Sequence, residues 1–559
     1  MTQSIHDATS AHFPSLAARL AWTVLILATL YLCYFHNLDA IGLVGPDEPR
    51  YAWIARDMAE TGDWITPHLY GSPWFEKPPL YYWSAALSFE LFGVSETSAR
   101  LPSAICALLA TLAMAWLGWR IYGAETARWL LLVLPTSLAM IAFSNAAATD
   151  MPFAATLTIA MVFAANLSGL VPSRSSEERQ VPSRWPDLFS FSTSLNALLL
   201  GFFLGLAVLA KGPAAIILSG GAVFVCAGFT KRWRGAFRCL HPLAIAAFCV
   251  TALPWYITCA RRNPDFFRVF IIEHNFKRFL TPEFQHLQPF WYYAGILLVA
   301  FLPWTLLLLY STIRGLLNLW RKRTIPPSTL FLLCWSVFVV IFFSISKSKL
   351  PGYVLPAVPA IALLMVRSYI FVQSERALRW LLLSMGSLFA IAAIVLSQLH
   401  IGRGSPTEHS AHAVAWILFA FAIANLLLGL SALRSSSVFN VAWLSVVPLL
   451  VLLCLYPHLQ SALLPHYDLS GKTLAADLMA NNIPSKNVFV GHMQRGQQYS
   501  LSFYLHREIT NWSAEPKEGY LLVNSRNCKA IVDEPWSCST EPLYLERSGY
   551  FLYQVTAAH

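Results

Sequence analysis

The sequence predicts a mainly α-helical membrane protein with a small α/β domain at its C-terminal end. Of its 559 residues, 56% are hydrophobic and 12% are charged, which is about half the charged fraction of a soluble domain. Apolar runs of roughly 17–25 residues, enough to cross about 30 Å of hydrocarbon, recur up to residue 458. Beyond that point the sequence is more polar and shows short helix and strand patterns.

Thirteen apolar runs are the predicted membrane spans, and basic residues in short loops set their orientation. The cluster of Lys231, Arg232, Arg234 and Arg238 favours a cytoplasmic loop, because basic loops stay on the inner side of the membrane. With the N-terminus inside, an odd number of spans places the C-terminus outside. The predicted spans are residues 17–36, 97–119, 125–144, 152–171, 193–210, 213–229, 241–259, 290–313, 328–345, 352–372, 379–399, 411–433 and 438–458.

Residues 1–458 are therefore predicted to form a transmembrane domain with outer loops, and residues 459–559 a soluble domain on the outer side. In this second domain the sequence predicts a helix at 471–480 and strands at 487–491, 519–523 and 549–555. Cys528 and Cys538 are the two cysteines of this polar region. They could form a disulfide if the domain lies in an oxidising compartment, and two free thiols are the alternative.

The net charge of +10 suits a protein with basic cytoplasmic loops and an anionic lipid substrate. Nucleic-acid binding is not expected, because no basic helix or repeat of aromatic and basic residues is present. The sequence also has no glycine-rich phosphate loop, which argues against a nucleotide cofactor or a nucleotide as the direct donor.

The first outer loop, residues 37–96, holds two candidate sites. Asp47 and Glu48 stand between prolines, with Arg50 close behind. Such acids can act as a general base, a metal ligand or the organiser of a phosphate site, and a helix N-cap is the alternative. Glu76 and Lys77 lie among aromatic residues; Lys77 could hold a phosphate, whereas an ion pair in an interfacial aromatic belt is the alternative.

Further charges stand at the outer ends of later spans. Asp150 is the charged residue between two apolar spans, and acids in that setting are usually functional. Lys211, Lys347 and Lys349 could reach one anionic ligand, although snorkelling to the interface explains isolated lysines equally. His274 follows an acid and could bind a metal, but its spacing matches no metal motif, and a hydrogen-bonded surface histidine is the alternative.

Several of these residues lie in ordered motifs that resemble a known family. The sequence Pro-Asp-Glu-x-Arg-Tyr at 46–51 is followed by Phe-Glu-Lys-Pro at 75–78 and by Asp-x-Pro-Phe at 150–153. This order resembles the GT-C glycosyltransferases that use polyprenyl-phosphate sugars. Glu-His-x-x-x-Arg-Phe at 273–279 and Lys-x-Lys-Leu-Pro-x-Tyr at 347–353, with a Lys-Gly pair and a Pro-Phe-Trp-Tyr-Tyr segment, narrow the resemblance to its aminoarabinose transferases, through roughly residue 370.

The resemblance implies a GT-C fold with thirteen spans and a periplasmic C-terminal domain in a bacterial inner membrane. It implies transfer of 4-amino-4-deoxy-L-arabinose from undecaprenyl phosphate to a lipid A phosphate, which weakens the binding of cationic peptides such as polymyxin. A related transferase that moves mannose or another sugar to a protein or glycan is the alternative. A flippase would need charges through the middle of several spans, and here the charges collect at one face. We expect a monomer that contacts membrane lipids.

The resemblance also suggests roles for individual residues. Asp47 and Asp150 match the loop acids of the family, and we expect Asp47 to pair with the cation of the amino sugar or to organise the basic groups, with a role as general base as the alternative. Glu76 and His274 would hold a divalent metal such as zinc. The residues expected to bind substrate or phosphate are Arg50, Tyr51, Glu76, Lys77, Tyr81, Lys211, Arg278, Lys347, Lys349 and Tyr353.

Overall fold

The computed structural model describes residues 16–171, 190–281, 287–321, 324–370 and 470–557, with short gaps in the last range, and scattered positions between 371 and 469. Three predicted spans, at 379–399, 411–433 and 438–458, therefore fall outside the described residues except at isolated positions. The predicted domain boundary after residue 458 also falls there.

Each of the other ten predicted spans coincides with a helix or with two or more consecutive helical segments. In chain order the helices are α1 Leu16–Tyr34, α2 Glu48–Thr61, α3 Leu80–Phe92, α4 Glu96–Tyr122, α5 Ala124–Val133, α6 Leu138–Ser144, α7 Asp150–Leu167, α8 Phe191–Lys211, α9 Ala214–Thr230, α10 Trp233–Arg238, α11 Pro242–Arg262, α12 Arg278–Leu280, α13 Tyr292–Ala300, α14 Thr305–Trp320, α15 Pro327–Ile345 and α16 Val358–Ile370. A π-helix, Arg268–Lys277, precedes α12, and a 3-10 helix, Pro351–Ala357, precedes α16.

Seven helical segments of the described residues are long and apolar enough to cross a membrane, and α5 with α6 adds an eighth candidate, bent by 63°. The chain is thus a multi-pass membrane protein. α7 packs against α4, α8 and α9 and has most of its side chains buried. Because α7 begins at Asp150, this central helix fixes the position of a predicted site residue.

The ends of the helices follow from local sequence. The side chain of Ser95 accepts a hydrogen bond from the backbone N–H of Ser98 at 3.1 Å and caps the start of α4. α8 ends at Lys211 and is followed by Gly212, whose φ of +90° favours glycine. A Cβ atom at Gly212 would also lie 2.9 Å from the ring of Phe270. Both constraints fix the end of α8 and therefore the position of its last residue, Lys211.

The first outer loop folds into a layer at one end of the helical bundle. It contains α2, α3 and a short hairpin of β1 (His68–Leu69) and β2 (Ser72–Pro73). Neither helix of this layer is long enough to span a bilayer, since α2 has 14 residues and α3 has 13.

The C-terminal part is the small α/β domain that the sequence predicts. α17 (Lys472–Ala480) and α18 (Arg495–Leu505) accompany a mixed sheet of β3 (Val488–Val490), β4 (Gly519–Val523), β5 (Trp536–Cys538), β6 (Leu543–Leu545) and β7 (Tyr550–Ala557). β3 pairs in parallel with β4, β4 is antiparallel to β7, and β5 and β6 both pair with β7. Cys528 and Cys538 form a disulfide.

Candidate active site

Arg50, the third residue of α2, joins the two acidic motifs of the first outer loop. Its guanidinium donates to Glu76 at 3.1 Å and also to Asp47, and its Nε donates to the carbonyl oxygen of Pro46 at 2.7 Å. The Arg50 and Glu76 side chains are 7% and 11% exposed, whereas that of Asp47 is 48% exposed. Asp47 is therefore the carboxylate of this group that solvent or a ligand reaches most easily.

Glu76 is the centre of the cationic groups. Besides Arg50, the ammonium of Lys77 lies 3.5 Å from its carboxylate and Arg278 donates to it at 3.3 Å. Burial acts to raise the pKa of Glu76, but the charges of Lys77, Arg50 and Arg278 outweigh it and hold the pKa well below its ordinary value. Glu76 is therefore an anion that holds three cations in place.

Lys77 is itself poorly hydrated. Burial lowers its pKa to about 8, and the nearby charges of Arg278 and Lys211 act in the same direction, although the carboxylate of Glu76 opposes them. A buried ammonium of this kind binds an anionic phosphate strongly, because little water competes with the ligand.

A second ion pair lies beside the first group. The ammonium of Lys211 is 2.5 Å from a carboxylate oxygen of Asp150 and 4.8 Å from the centre of the Tyr353 ring. Gly352 packs directly against Asp150, since a Cβ atom at this glycine would lie 2.3 Å from the carboxylate oxygen. The 3-10 helix before α16 thus closes one side of the pair.

The two groups influence each other electrostatically. The charge of Lys211 contributes to the low pKa of Lys77, and Tyr353 is among the groups that interact with Arg278. Four cations and three carboxylates therefore share one end of the bundle, which leaves an excess of one positive charge before His274 is considered. The cations are Arg50, Lys77, Lys211 and Arg278, and the carboxylates are Asp47, Glu76 and Asp150.

Glu48, predicted with Asp47 as a candidate acid of the first outer loop, instead forms a buried pair with Arg100. Arg100 donates to both carboxylate oxygens of Glu48, at 3.1 and 2.8 Å, and to the backbone carbonyls of Leu38, Ile41 and Gly42. Glu48 also accepts from two backbone N–H groups, one before α2 and one before α7. The pair therefore ties the loop of Asp47 to the loop that leads into Asp150.

Two tyrosines predicted to contact substrate are core residues instead. Tyr81 is fully buried, and its hydroxyl donates to the carbonyl oxygen of Ala99 at 2.8 Å. Tyr51 is 2% exposed and packs against the rings of Tyr81 and Tyr82. Tyr51 supports the site from behind, because its ring centre lies 5.7 Å from the guanidinium carbon of Arg50.

Lys347 and Lys349 line a different space from Glu76. They stand at the end of a mainly apolar groove of about 870 Å³ between α13 and α15. Lys349 is buried and donates to the carbonyl oxygens of Gln288 and Ser346, at 3.0 and 2.7 Å, whereas Lys347 is exposed. The contacts of Lys349 favour a role in holding the loop rather than a phosphate.

The suggested metal ligands, Glu76 and His274, line one cavity of about 440 Å³ with Trp74 and Arg268. Among the residues that the structure describes, no three His, Cys, Asp or Glu side chains are grouped as metal ligands. Three cations already surround Glu76 and would repel a metal ion. This donor set does not fit a divalent metal.

Comparisons with known proteins agree with this architecture. The family model of dolichyl-phosphate-mannose-protein mannosyltransferase matches residues 20–270. The crystal structure of ArnT from Cupriavidus metallidurans bound to undecaprenyl phosphate superposes with a TM-score of 0.74 at 22% identity, over 96% of this chain and 98% of that chain. The apo crystal structure of the same protein gives a TM-score of 0.73. The predicted GT-C fold with a small C-terminal domain is thus confirmed.

Curated relatives are more similar in sequence. The undecaprenyl phosphate-alpha-4-amino-4-deoxy-L-arabinose arabinosyl transferase of Edwardsiella ictaluri is 33% identical over 62% of this chain, which spans 58% of that relative. The transferase of the same name from Aeromonas salmonicida is 32% identical over 70% of this chain and 69% of its own length. The chain therefore belongs to the family of undecaprenyl phosphate-alpha-4-amino-4-deoxy-L-arabinose arabinosyl transferases.

Proposed function

We propose that this chain is a glycosyltransferase that moves 4-amino-4-deoxy-L-arabinose from undecaprenyl phosphate to a phosphate group of lipid A. The observation that carries the proposal is the gathering of four cations around three carboxylates at one end of the bundle. Such a site suits two anionic lipid headgroups and one cationic sugar. The names of the two relatives support the choice of donor.

In the proposed reaction, a phosphate oxygen of the acceptor attacks C1 of the sugar. A new C1–O bond forms while the bond from C1 to the undecaprenyl phosphate oxygen breaks, and the leaving phosphate keeps the electron pair. The attacking oxygen is already anionic, so no base has to remove a proton. The enzyme's contribution is to hold the reactants and to stabilise charge on the leaving phosphate, and Lys77 and Arg278 are suited to this role.

The carboxylates have different parts in this proposal. Asp47 lies next to the guanidinium of Arg50 but is half-exposed. Its carboxylate can therefore also bind the ammonium of the amino sugar. Asp150 holds Lys211 at 2.5 Å and thereby fixes the direction from which that cation meets the phosphate. Glu76 remains beneath the cations and keeps them together.

The proposed location is a bacterial inner membrane, with the site and the C-terminal domain facing the periplasm. The disulfide between Cys528 and Cys538 supports this side, because disulfides persist in oxidising compartments. Addition of a cationic sugar to lipid A would lower its negative charge and weaken the binding of polymyxin-like peptides. The chain would act as a monomer.

A second candidate is the transfer of mannose from a polyprenyl phosphate to a protein. The mannosyltransferase family model, which matches residues 20–270, favours it. That segment holds Asp47, Glu76, Lys77 and Asp150, which would serve any polyprenyl-phosphate donor. The two candidates differ in the sugar and in the acceptor.

The test is to express the chain in a bacterial strain that lacks its own aminoarabinose transferase and to measure the mass of its lipid A. The proposed function predicts lipid A that carries one added aminoarabinose, together with greater survival in polymyxin. Unmodified lipid A alongside mannosylated protein would favour the second candidate. A variant with Asp150→Asn serves as the inactive control, and its amount in the membrane is compared with that of the wild type.

A further inference from the structure

The C-terminal domain rests directly on the outer loop that leads to Asp47. α18 packs against α2, and the hydroxyl of Ser500 donates to the carbonyl oxygen of Leu43 at 2.7 Å. The Tyr504 hydroxyl accepts from the backbone N–H of Leu43 at 3.0 Å and donates to Glu96 at 2.8 Å. These hydrogen bonds are directional, so they fix how the domain sits on the loop.

Gly496 allows α18 to approach the backbone of the loop closely. A Cβ atom at Gly496, in the first turn of α18, would lie 2.8 Å from the carbonyl carbon of Gly45. Gly45 immediately precedes the Pro46-Asp47 pair. A side chain at position 496 would press its Cβ atom against the backbone of Gly45, so α18 could no longer sit at this distance from the Asp47 loop.

One side chain of α18 reaches the charged site itself. The ring centre of Tyr499 lies 5.6 Å from the guanidinium carbon of Arg50, and the rings of Tyr51 and Trp74 lie 5.7 and 5.5 Å from the same atom. The first outer loop supplies two of these rings, and the C-terminal domain supplies the third. The Tyr499 hydroxyl accepts a hydrogen bond from Nε of Arg495 at 2.9 Å, and the guanidinium carbon of Arg495 lies 5.3 Å from the centre of the Tyr499 ring, a contact that does not need the hydroxyl.

We infer that Tyr499 is a positioning residue through which the C-terminal domain fixes the guanidinium of Arg50 against Asp47 and Glu76. Aromatic faces attract a guanidinium and restrict its orientation. Without the third ring, the guanidinium of Arg50 is oriented less firmly, and Asp47 is the carboxylate most affected, because Lys77 and Arg278 still lie beside Glu76. Since transfer depends on charges that are preorganised around the donor phosphate, the inference rests on the proposed function and gives the C-terminal domain a part in it.

The experiment compares Tyr499→Leu with Tyr499→Phe in the purified full-length chain, reconstituted in lipid with the undecaprenyl-linked sugar and lipid A. For Tyr499→Leu we expect kcat to fall about ten-fold with little change in KM for the donor, because the loss is one of orientation. Tyr499→Phe keeps the ring over Arg50 and should retain activity within about two-fold of wild type. Gly496→Val should reproduce the defect of Tyr499→Leu.

A double-mutant cycle shows whether Tyr499 acts through Arg50. In an Arg50→Met background, Tyr499→Leu should cause no further loss of kcat, since the cation that the ring orients is gone. Tyr544→Leu is the matched control, because Tyr544 lies on β6, is 50% exposed and contacts the ring of Phe551 with a centroid distance of 4.9 Å. It should behave like the wild type, and the thermal unfolding temperature of each variant checks its folding.

Equal losses in Tyr499→Phe and Tyr499→Leu would overturn the inference, as would a ten-fold further loss in the Arg50→Met background. If the wild type transfers the sugar and Tyr499→Leu is fully active, the inference is wrong but the proposed function stands. A wild-type chain that transfers no sugar would defeat both.

Discussion

The ammonium of Lys211 lies 2.5 Å from the carboxylate of Asp150, and the two residues stand at opposite kinds of helix end. Asp150 is the first residue of α7, and Lys211 is the last residue of α8. A carboxylate is stabilised at a helix N-terminus and a cation at a helix C-terminus. Each charge of the pair is therefore stabilised by the end of its own helix. The packing of α7 against α8 places both charges at the same end of the bundle.

Replacing Asp150 with Asn is expected to abolish most of the transfer while leaving the protein in the membrane. The amide keeps the size of the side chain but removes the charge that orients Lys211. Loss of one preorganised electrostatic group typically lowers kcat by about 10²–10³-fold. The measurement is the rate of sugar transfer to lipid A, with Glu515→Gln as a control, because Glu515 is 63% exposed and pairs with Lys517 on the surface of the C-terminal domain. Full activity of Asp150→Asn would remove this carboxylate from the site.

Gly352→Ala tests the packing behind the same carboxylate. The added Cβ atom would lie 2.3 Å from the Asp150 oxygen, so the side chain must move away from its present contact with Lys211. We expect transfer to fall by about ten-fold or more, since small displacements at a reacting centre are costly. Gly295→Ala is the matched control, because a Cβ atom there meets nothing within 4 Å. Equal activity of the two variants would contradict the assigned role of Gly352.

Glu76→Gln should affect stability as well as activity. The substitution removes the anion that Arg50, Lys77 and Arg278 share. Breaking a buried ion pair by removing one partner costs about 3–5 kcal/mol, because the remaining charges stay buried without compensation. We expect a clearly lower thermal unfolding temperature and weaker resistance to polymyxin. Glu515→Gln is the control, since Glu515 pairs with Lys517 on the exposed surface and its loss should leave the unfolding temperature nearly unchanged.

Much of the fold could be predicted from the sequence because lipid imposes long apolar helices. The apolar runs gave the positions of ten spans, each of which is one helix or consecutive helical segments, and the sparse charges Asp47, Lys77 and Asp150 lie at one end of the bundle. Charges are rare in such a chain, so each one carries information about position. The same reasoning treated Lys347 and Lys349 as equivalent to Lys211, although the structure places them in a separate groove.

Contacts between distant parts of the chain could not be read in this way. Asp47 and Glu48 are neighbours in sequence, yet Glu48 turns inward to Arg100, 52 residues away, while Asp47 stays half-exposed. The only signal in the sequence for a role of Arg100 was its position as the lone basic residue near the outer end of α4. No local pattern marks Tyr499 as a neighbour of Arg50, because their contact depends on how the C-terminal domain docks. The helix α18 itself was not predicted.

The low pKa of Lys77 predicts a pH limit on donor use. Burial lowers this pKa to about 8, so the ammonium that would bind the donor phosphate loses its proton as the pH rises through 8. We expect kcat/KM for the undecaprenyl-linked sugar to fall above about pH 8, since kcat/KM reports groups of the free enzyme. Glu76, whose pKa is held below its ordinary value by the surrounding cations, stays ionised over this range.

Lys77→Arg isolates this effect. A guanidinium stays protonated at every pH of the assay, so the variant should lose the decline above pH 8 even if its maximal rate is lower. The amino group of the sugar also titrates in alkaline solution, but it does so equally with both enzymes, and the ratio of their kcat/KM values removes its contribution. The kcat/KM of the wild type divided by that of the variant should therefore fall steadily between about pH 7 and pH 9. A ratio that stays constant would show that the proton of Lys77 has no part in binding the donor.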